Sequence, residues 1–186
     1  MSVQVRKRLL TVDEYEAMGR AGILGEDDRV ELIEGEIIEM SPIKEPHASC
    51  VRRLNWLLPR AIRDRAIVDA QNPIVLSERS EPQPDLTLLL SREDFYRQRH
   101  PRPEDVFLLV EVADTSLAYD RMVKVPLYAR ARVPEVWIVD LVGQLVHVYR
   151  EPSAGEYRDV RSVGPGEHVS PSAFPDVELE VSEWVG

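Results

Sequence analysis

Cysteine is almost missing from this chain: Cys50 is the only one in 186 residues. A single thiol forbids an intramolecular disulfide and fits a reducing cytoplasm. Lysine is nearly as scarce. The cationic residues are 20 arginines and only Lys7, Lys44 and Lys124, so a lysine beside a suspected site carries information. No apolar run approaches the roughly 20 residues that span a bilayer, so no membrane partner is expected. The start, "MSVQVRKRLL", is basic, but no apolar segment with a small-residue cleavage site follows; no signal peptide is expected. Excess positive charge is lacking as well. A net charge of −10 argues against broad binding of phosphate backbones, though not against a local basic groove.

What is present fits a soluble globular protein: 44% hydrophobic and 30% charged residues. The length suits one core and is short for two. The expectation is a single domain over residues 1–186, with 1–25 as an N-terminal helical appendage. In "TVDEYEAMGRAG", Thr11 and Glu14 have capping-box spacing. "RVELIEGEIIEM" predicts a β-hairpin turning at "EG". In "HASCVRRLNWLLPRAIRDR", apolar residues recur at helical spacing, and Pro59 should kink the helix or end its first part. "AIVDAQNPIVLSE" and "PDLTLLL" read as strands. "SREDFYRQRHPRPED" reads as a polar excursion with one helical turn capped by Ser91. "VFLLVEV" is apolar on both faces, which predicts a central strand in a sheet covered on both sides. "SLAYDRMVKVPLYARARV" is helical, with a distortion at Pro126. "PEVWIVDL" and "LVHVYR" predict a hairpin, and short strands follow. The order predicts a mixed α/β architecture.

The chemistry-bearing residues are carboxylates in unusual places. Asp85 stands at the mouth of the apolar run in "EPQPDLTLLL", and Glu111 interrupts "LLVEVAD". Asp is disfavoured in strands, and burying its charge is costly unless it is paired or bound to metal. Lys124 follows on the next helical segment, with Asp120 at i−4 on the same face. Taken singly, Asp85 reads as a turn residue, Glu111 as an edge residue or ion-pair partner, and Asp120–Lys124 as a surface pair. If the two strands are neighbours, both carboxylates reach one point. Two hard oxygen donors with a backbone carbonyl and waters suit Mg²⁺, with Mn²⁺ as an alternative.

These residues resemble the PD-(D/E)XK nuclease superfamily and, more closely, the Uma-type restriction-endonuclease family. The resemblance runs from "LLTVDEYEAM" through "VPEVWIVD", by way of "ELIEGEI", "EPHASCVRRLNWLL", "PQPDLTLL", "LLVEVADTS" and "YDRMVKVPLYARARVPEVWIVD". It implies a restriction-endonuclease-like core, a mixed sheet with flanking helices and extra C-terminal strands. It implies Asp85 and Glu111 as catalytic metal ligands, joined by the Val112 carbonyl. The superfamily's lysine should stand two residues after Glu111, where this chain has Ala113; the resemblance moves that role to Lys124. Glu31 and His47 match further family positions, and Asp120 is an auxiliary candidate for holding Lys124 or adding an outer contact. Arg52, Arg53 and Arg121 are candidate phosphate contacts.

The implied activity is metal-dependent hydrolysis of nucleic-acid phosphodiesters, DNA in the first place, by a cytoplasmic protein. A homodimer is also implied, and the strand-rich tail "ELEVSEWV" offers a segment for pairing. Three alternatives stand beside this reading. One is a catalytically silent module that binds nucleic acid or protein on the same fold. Another is a protein acting on a small phosphorylated ligand. The third is a structural module with a buried ion-pair cluster.

Overall fold

A computed structural model describes residues 7–25 and 27–186. Residues 1–6, Arg6 of the basic start among them, and Glu26 lie outside the described residues. A six-stranded sheet in the order β3-β4-β5-β6-β7-β8 forms the centre. Its strands are β3 (Ile67–Ala70), β4 (Leu86–Leu89), β5 (Val106–Ala113), β6 (Glu135–Asp140), β7 (Leu145–Ser153) and β8 (Glu156–Val163). Only β5 and β6 run parallel; every other neighbouring pair is antiparallel. A parallel pair needs a crossover. Here it is helical: α3 (Leu117–Tyr119), a π-helical turn (Asp120–Lys124) and α4 (Val125–Arg130).

Alternation along β5 decides which layer each residue joins. Leu108, Val110 and Val112 pack with Trp137 and Val139 of β6 against α2 (Glu45–Ile62), whose Cys50, Val51, Leu54, Leu58 and Ile62 are buried. The C-terminal segment closes that layer, with Trp184 stacked on Trp137 at 6.3 Å between ring centres. Leu109 and Ala113 face the other way, with Val136 and Ile138, against Val125, Leu127 and Tyr128. Each fully buried aliphatic side chain contributes roughly 1.5–3 kcal/mol. The run "VFLLVEV" is therefore central and covered on both sides, as its composition predicts.

The N-terminal part is fixed to this body by its backbone. Helix α1 (Val12–Arg20) carries the predicted capping box, Thr11 with Glu14. The Val12 N–H donates to the Glu78 carbonyl at 2.8 Å. Strands β1 (Val30–Ile33) and β2 (Glu36–Glu39) form the predicted hairpin around Glu34 and Gly35. Both turn residues have positive φ, 50° and 85°, as a type I′ turn requires. A Cβ on Gly35 would stand 2.6 Å from that of Leu9, so glycine is also needed for close approach.

Several local expectations are corrected. The stretch 66–78 is not one strand: β3 stops at Ala70, because Gln71 turns to φ 53° and Pro73 has no N–H to offer a ladder. No helical turn follows Ser91; residues 93–98 are turns, and the helical turn is the 3₁₀ piece Pro103–Asp105. Pro59 does not break α2, which runs on to Ile62. Asn55, whose carbonyl loses its partner, is exposed to water. Pro126 is accommodated by the π turn before it: the Val125 N–H reaches back to the Asp120 carbonyl. The tail segment Leu179–Glu180 forms β10 and pairs within the chain with β9 (His168–Val169).

Two buried acids explain themselves by their partners. Asp105 takes a two-pronged contact from Arg99, at 2.6 and 3.0 Å, and the Arg102 N–H at 2.9 Å. Glu135, fully buried, accepts from the Trp137 indole N–H, the Arg150 guanidinium, and both the N–H and hydroxyl of Ser172. Removing one member of such a buried pair leaves an uncompensated charge. Glu135→Ala should destabilise the fold by about 3–5 kcal/mol in urea unfolding, whereas exposed Glu39→Ala should leave the midpoint nearly unchanged.

Candidate active site

Topology brings the two singled-out carboxylates together. β4 runs antiparallel to β5, with Leu86 opposite Val110. The start of β4 therefore lies beside the end of β5, and Asp85 precedes the one while Glu111 and Val112 end the other. Asp85 Oδ2 accepts the Val112 N–H at 2.8 Å and lies 3.1 Å from His47 Nε2. In a strand, the N–H and C=O of one residue point to the same side. The Val112 carbonyl thus opens toward the same sheet end as the N–H that meets Asp85.

The crossover brings in the cation. The crossover begins just beyond the end of β5, and the last residue of its π turn is Lys124. Lys124 Nζ lies 3.1 Å from both Glu111 Oε1 and Glu31 Oε2, and all three side chains are buried. Glu31 enters because β1 runs beside the segment before β4: Leu32 bridges Glu81, and the Gln83 N–H donates to Glu31 Oε2 at 3.2 Å. Asp120 is buried too and accepts from the Ser116 hydroxyl at 2.6 Å. Glu31, His47, Asp85, Glu111, Val112, Asp120 and Lys124 all line one cleft of about 310 Å³. Arg52, Arg53 and Arg121 do not line it; they are exposed outside it.

Residues that sequence reading passed over support or line the cleft. The Tyr128 hydroxyl donates to Glu111 Oε1; its position one helical turn after Lys124 was a usable signal. Gln71 and Gln83 cross-link the loop behind Asp85, with the Gln71 amide at 3.5 Å from Asp85 Oδ1. Nothing in the spacing of those glutamines announced them. The Tyr119 hydroxyl and His47 Nδ1 are buried without hydrogen-bond partners among the described residues. If Nε2 carries the hydrogen that Asp85 accepts, Nδ1 is an acceptor facing no donor.

Charge in the cleft is unbalanced. Glu31, Asp85, Glu111 and Asp120 share one buried ammonium, Lys124, while exposed Lys44, paired with Asp114 at 3.2 Å, and exposed Arg29 and Glu39 also line the cleft. Burial pushes the Glu111 carboxyl up to about 8; Lys124 opposes this, and Asp120, Asp85 and Glu31 reinforce it. Burial likewise raises the Asp120 carboxyl, against the Ser116 hydrogen bond and Lys124. For Lys124 burial works toward deprotonation, but Glu111, Glu31 and Asp120 outweigh it and hold the ammonium well above the ordinary lysine range. Acid and base partner move in the same direction for different reasons: burial raises Glu111, and several carboxylates raise Lys124. The Cys50 thiol is pushed up to about 12 by burial and then by the Asp85 charge; it is not a nucleophile at neutral pH.

A family model described as "Uma2: Putative restriction endonuclease" matches residues 12–182. Among solved structures, the chain is similar to "a putative nuclease belonging to DUF820" from Anabaena variabilis, at 15% identity and a TM-score of 0.72. That match covers 95% of this chain and 99% of the other; it shows a shared fold. No curated protein matches the chain.

The raised Glu111 pKa has a stability consequence of definite sign. A carboxyl that titrates near 8 when folded, against an ordinary value of 4.5, binds more protons folded than unfolded between those values. Its contribution is fully present below the lower value and is lost as pH rises through the upper one. In metal-free buffer, urea-unfolding stability should fall between about pH 5 and 8. Glu111→Gln should reduce that fall, to which the raised Glu81 and Asp120 carboxyls also contribute; a fall of equal size in the variant would remove Glu111 as a source.

Proposed function

The chain belongs to the Uma2 family, and on that footing we propose that it is a divalent-metal-dependent endonuclease acting on nucleic acid, DNA in the first place. The observation that carries this reading is a surplus of acidic side chains over cations at one sheet end: buried Glu31, Glu111 and Asp120 and part-buried Asp85 share one buried ammonium, Lys124. Buried charge of one sign is tolerated when a cation offsets it.

The donor set fits a hard divalent cation of the Mg²⁺ or Mn²⁺ kind. Asp85 Oδ2 is taken by Val112 and His47, while Oδ1 has only the long Gln71 contact. Glu111 Oε1 is taken by Lys124 and Tyr128, while Oε2 accepts no hydrogen bond from the described residues. Each carboxylate thus keeps one oxygen for a ligand, and the Val112 carbonyl adds a third donor. When bound, such a cation makes a ligated water acidic and offsets charge building on the scissile phosphate.

The remaining roles belong to the chain's own side chains. Lys124 is held charged, so it acts as a fixed ammonium that orients water or steadies a phosphoryl oxygen, and not as a base. Glu31 holds that ammonium in place at 3.1 Å, and the Asp120 charge helps to keep it protonated. Tyr128 fixes the Glu111 carboxylate in one orientation. His47 braces Asp85 from the N-terminal turn of α2. Ala113 points into the apolar layer beside Val125 and Leu127, which supports Lys124 as the lysine of the site.

Duplex or single-strand contact is best supplied by the outer face of α2. Arg52, Arg53, Trp56 and Arg60 are all exposed there, and the Arg60 guanidinium lies 4.0 Å from the Trp56 ring centre. On a chain of net charge −10, a run of arginines on the helix that carries His47 is the local basic surface a phosphate backbone needs.

Purified protein incubated with DNA and RNA, with Mg²⁺, Mn²⁺ or EDTA, should cleave only with metal. Glu111→Gln and Asp85→Asn should each lower cleavage by roughly 100-fold or more. Cleavage that survives both substitutions, or none under any condition, would sink the nuclease reading; retained binding without cleavage would favour the silent module. Arg52→Glu with Arg60→Glu should weaken DNA binding and lower the salt slope by about one for each phosphate no longer neutralised. An unchanged slope would remove α2 from the interface.

A further inference from the structure

Of the buried acids outside the cleft, Glu135, Asp105 and Glu81 differ in how they are satisfied. Glu135 and Asp105 accept from donors on both oxygens. Glu81 does not. It is 5% exposed, and its Oε2 is fully buried with no hydrogen-bond partner among the described residues. A buried carboxylate without donors is costly if it stays charged. Its nearest neighbours make this worse as well as suggestive. Glu16 presents a second carboxylate and His100 an imidazole, and one ligand atom from each of the three lies within 4.8 Å of the others. Burial, and then the Glu16 charge, raise the Glu81 carboxyl to about 7.

From this cluster we infer a second cation site: Glu16, Glu81 and His100 bind a divalent transition metal of the Zn²⁺ class. The donor set decides the class. An imidazole nitrogen with two carboxylate oxygens suits zinc and its neighbours better than Mg²⁺ or Ca²⁺, which prefer oxygen alone. Three protein ligands leave a fourth position for water. None of the three residues lines the candidate active site, so the inference stands apart from the nuclease reading.

The ligands come from backbones that are already fixed, which lowers the ordering cost of binding. Glu16 sits on α1, anchored by the Val12 N–H to Glu78. Glu81 pairs with Leu32 through both its N–H and its C=O. His100 precedes Pro101, whose carbonyl accepts the Val75 N–H at 2.9 Å. Metal bonds of about 2.0–2.1 Å require the three ligand atoms to draw closer together than 4.8 Å. The His100 side chain is exposed, and among the described residues Glu16 has only the exposed Arg20 as competitor, at 3.0 Å. A metal here clasps α1 to the loop before β5 and to the segment before β4.

The test titrates Zn²⁺ into metal-stripped full-length protein by calorimetry, in an Asp85→Asn background that disables the other site. One equivalent should bind, and His100→Ala should weaken it at least about ten-fold. Co²⁺ in its place should give visible d–d absorption that His100→Ala abolishes. Glu81→Gln should lose binding while raising the melting temperature of the metal-free protein, because it removes a buried charge. A carboxylate with a purely structural role would lower it. No binding in the Asp85→Asn protein, or binding indifferent to His100→Ala, overturns the inference. DNA cleavage by His100→Ala at the wild-type rate is expected, so loss of this site and failure of the nuclease reading are read separately.

Discussion

One ammonium shared among carboxylates is the constraint around which this molecule is arranged. Lys124 touches Glu31 and Glu111 at equal distance, and each of the three comes from a different part of the chain: the hairpin, the central strand and the crossover. None of these charges is tolerable in the interior without the others. Their meeting therefore ties the N-terminal hairpin to the sheet and fixes the start of the crossover. A network that only stabilised the fold would be expected to reach neutrality. This one stops short of it, and Asp85 and Asp120 add further negative charge.

The contrast with the other buried acids sharpens that point. Glu135 and Asp105 are matched by guanidinium groups and N–H donors on both of their oxygens. Both lie away from the cleft. Asp85 and Glu111 are each well served on one oxygen only. Partial satisfaction at two carboxylates that line one cleft is costly in a fold and leaves an oxygen on each for a ligand.

The local features legible in the chain are those with short-range causes. The Thr11–Glu14 capping box, the Glu34–Gly35 turn, the buried stripe of α2 and the two-faced apolar β5 all follow from spacing a few residues long. The corrected expectations fail where a longer-range partner intervenes. The stretch 66–78 has strand composition throughout, but a strand needs a partner, and β4 offers only four residues of pairing. Pro59 has the signature of a helix break, yet it falls where the lost hydrogen bond is exposed to water. A distortion at Pro126 is readable from sequence; that it takes the form of a π turn delivering Lys124 is not, since its shape depends on packing against β5.

For the site, the oddness of Asp85 and Glu111 is visible in the linear chain, because a carboxylate in an apolar strand violates the local pattern whatever surrounds it. Lys124 is a candidate through its rarity and the family resemblance. The antiparallel pairing of β4 with β5 decided that the two carboxylates share one end of the sheet. The crossover decided that Lys124 joins them, and the bridge between Leu32 and Glu81 decided that Glu31 is buried rather than exposed on a hairpin. Hydrophobic periodicity and turn chemistry act over a few residues and are written into sequence order. Convergence of charges tens of residues apart depends on strand register and burial, which exist only once the chain has folded.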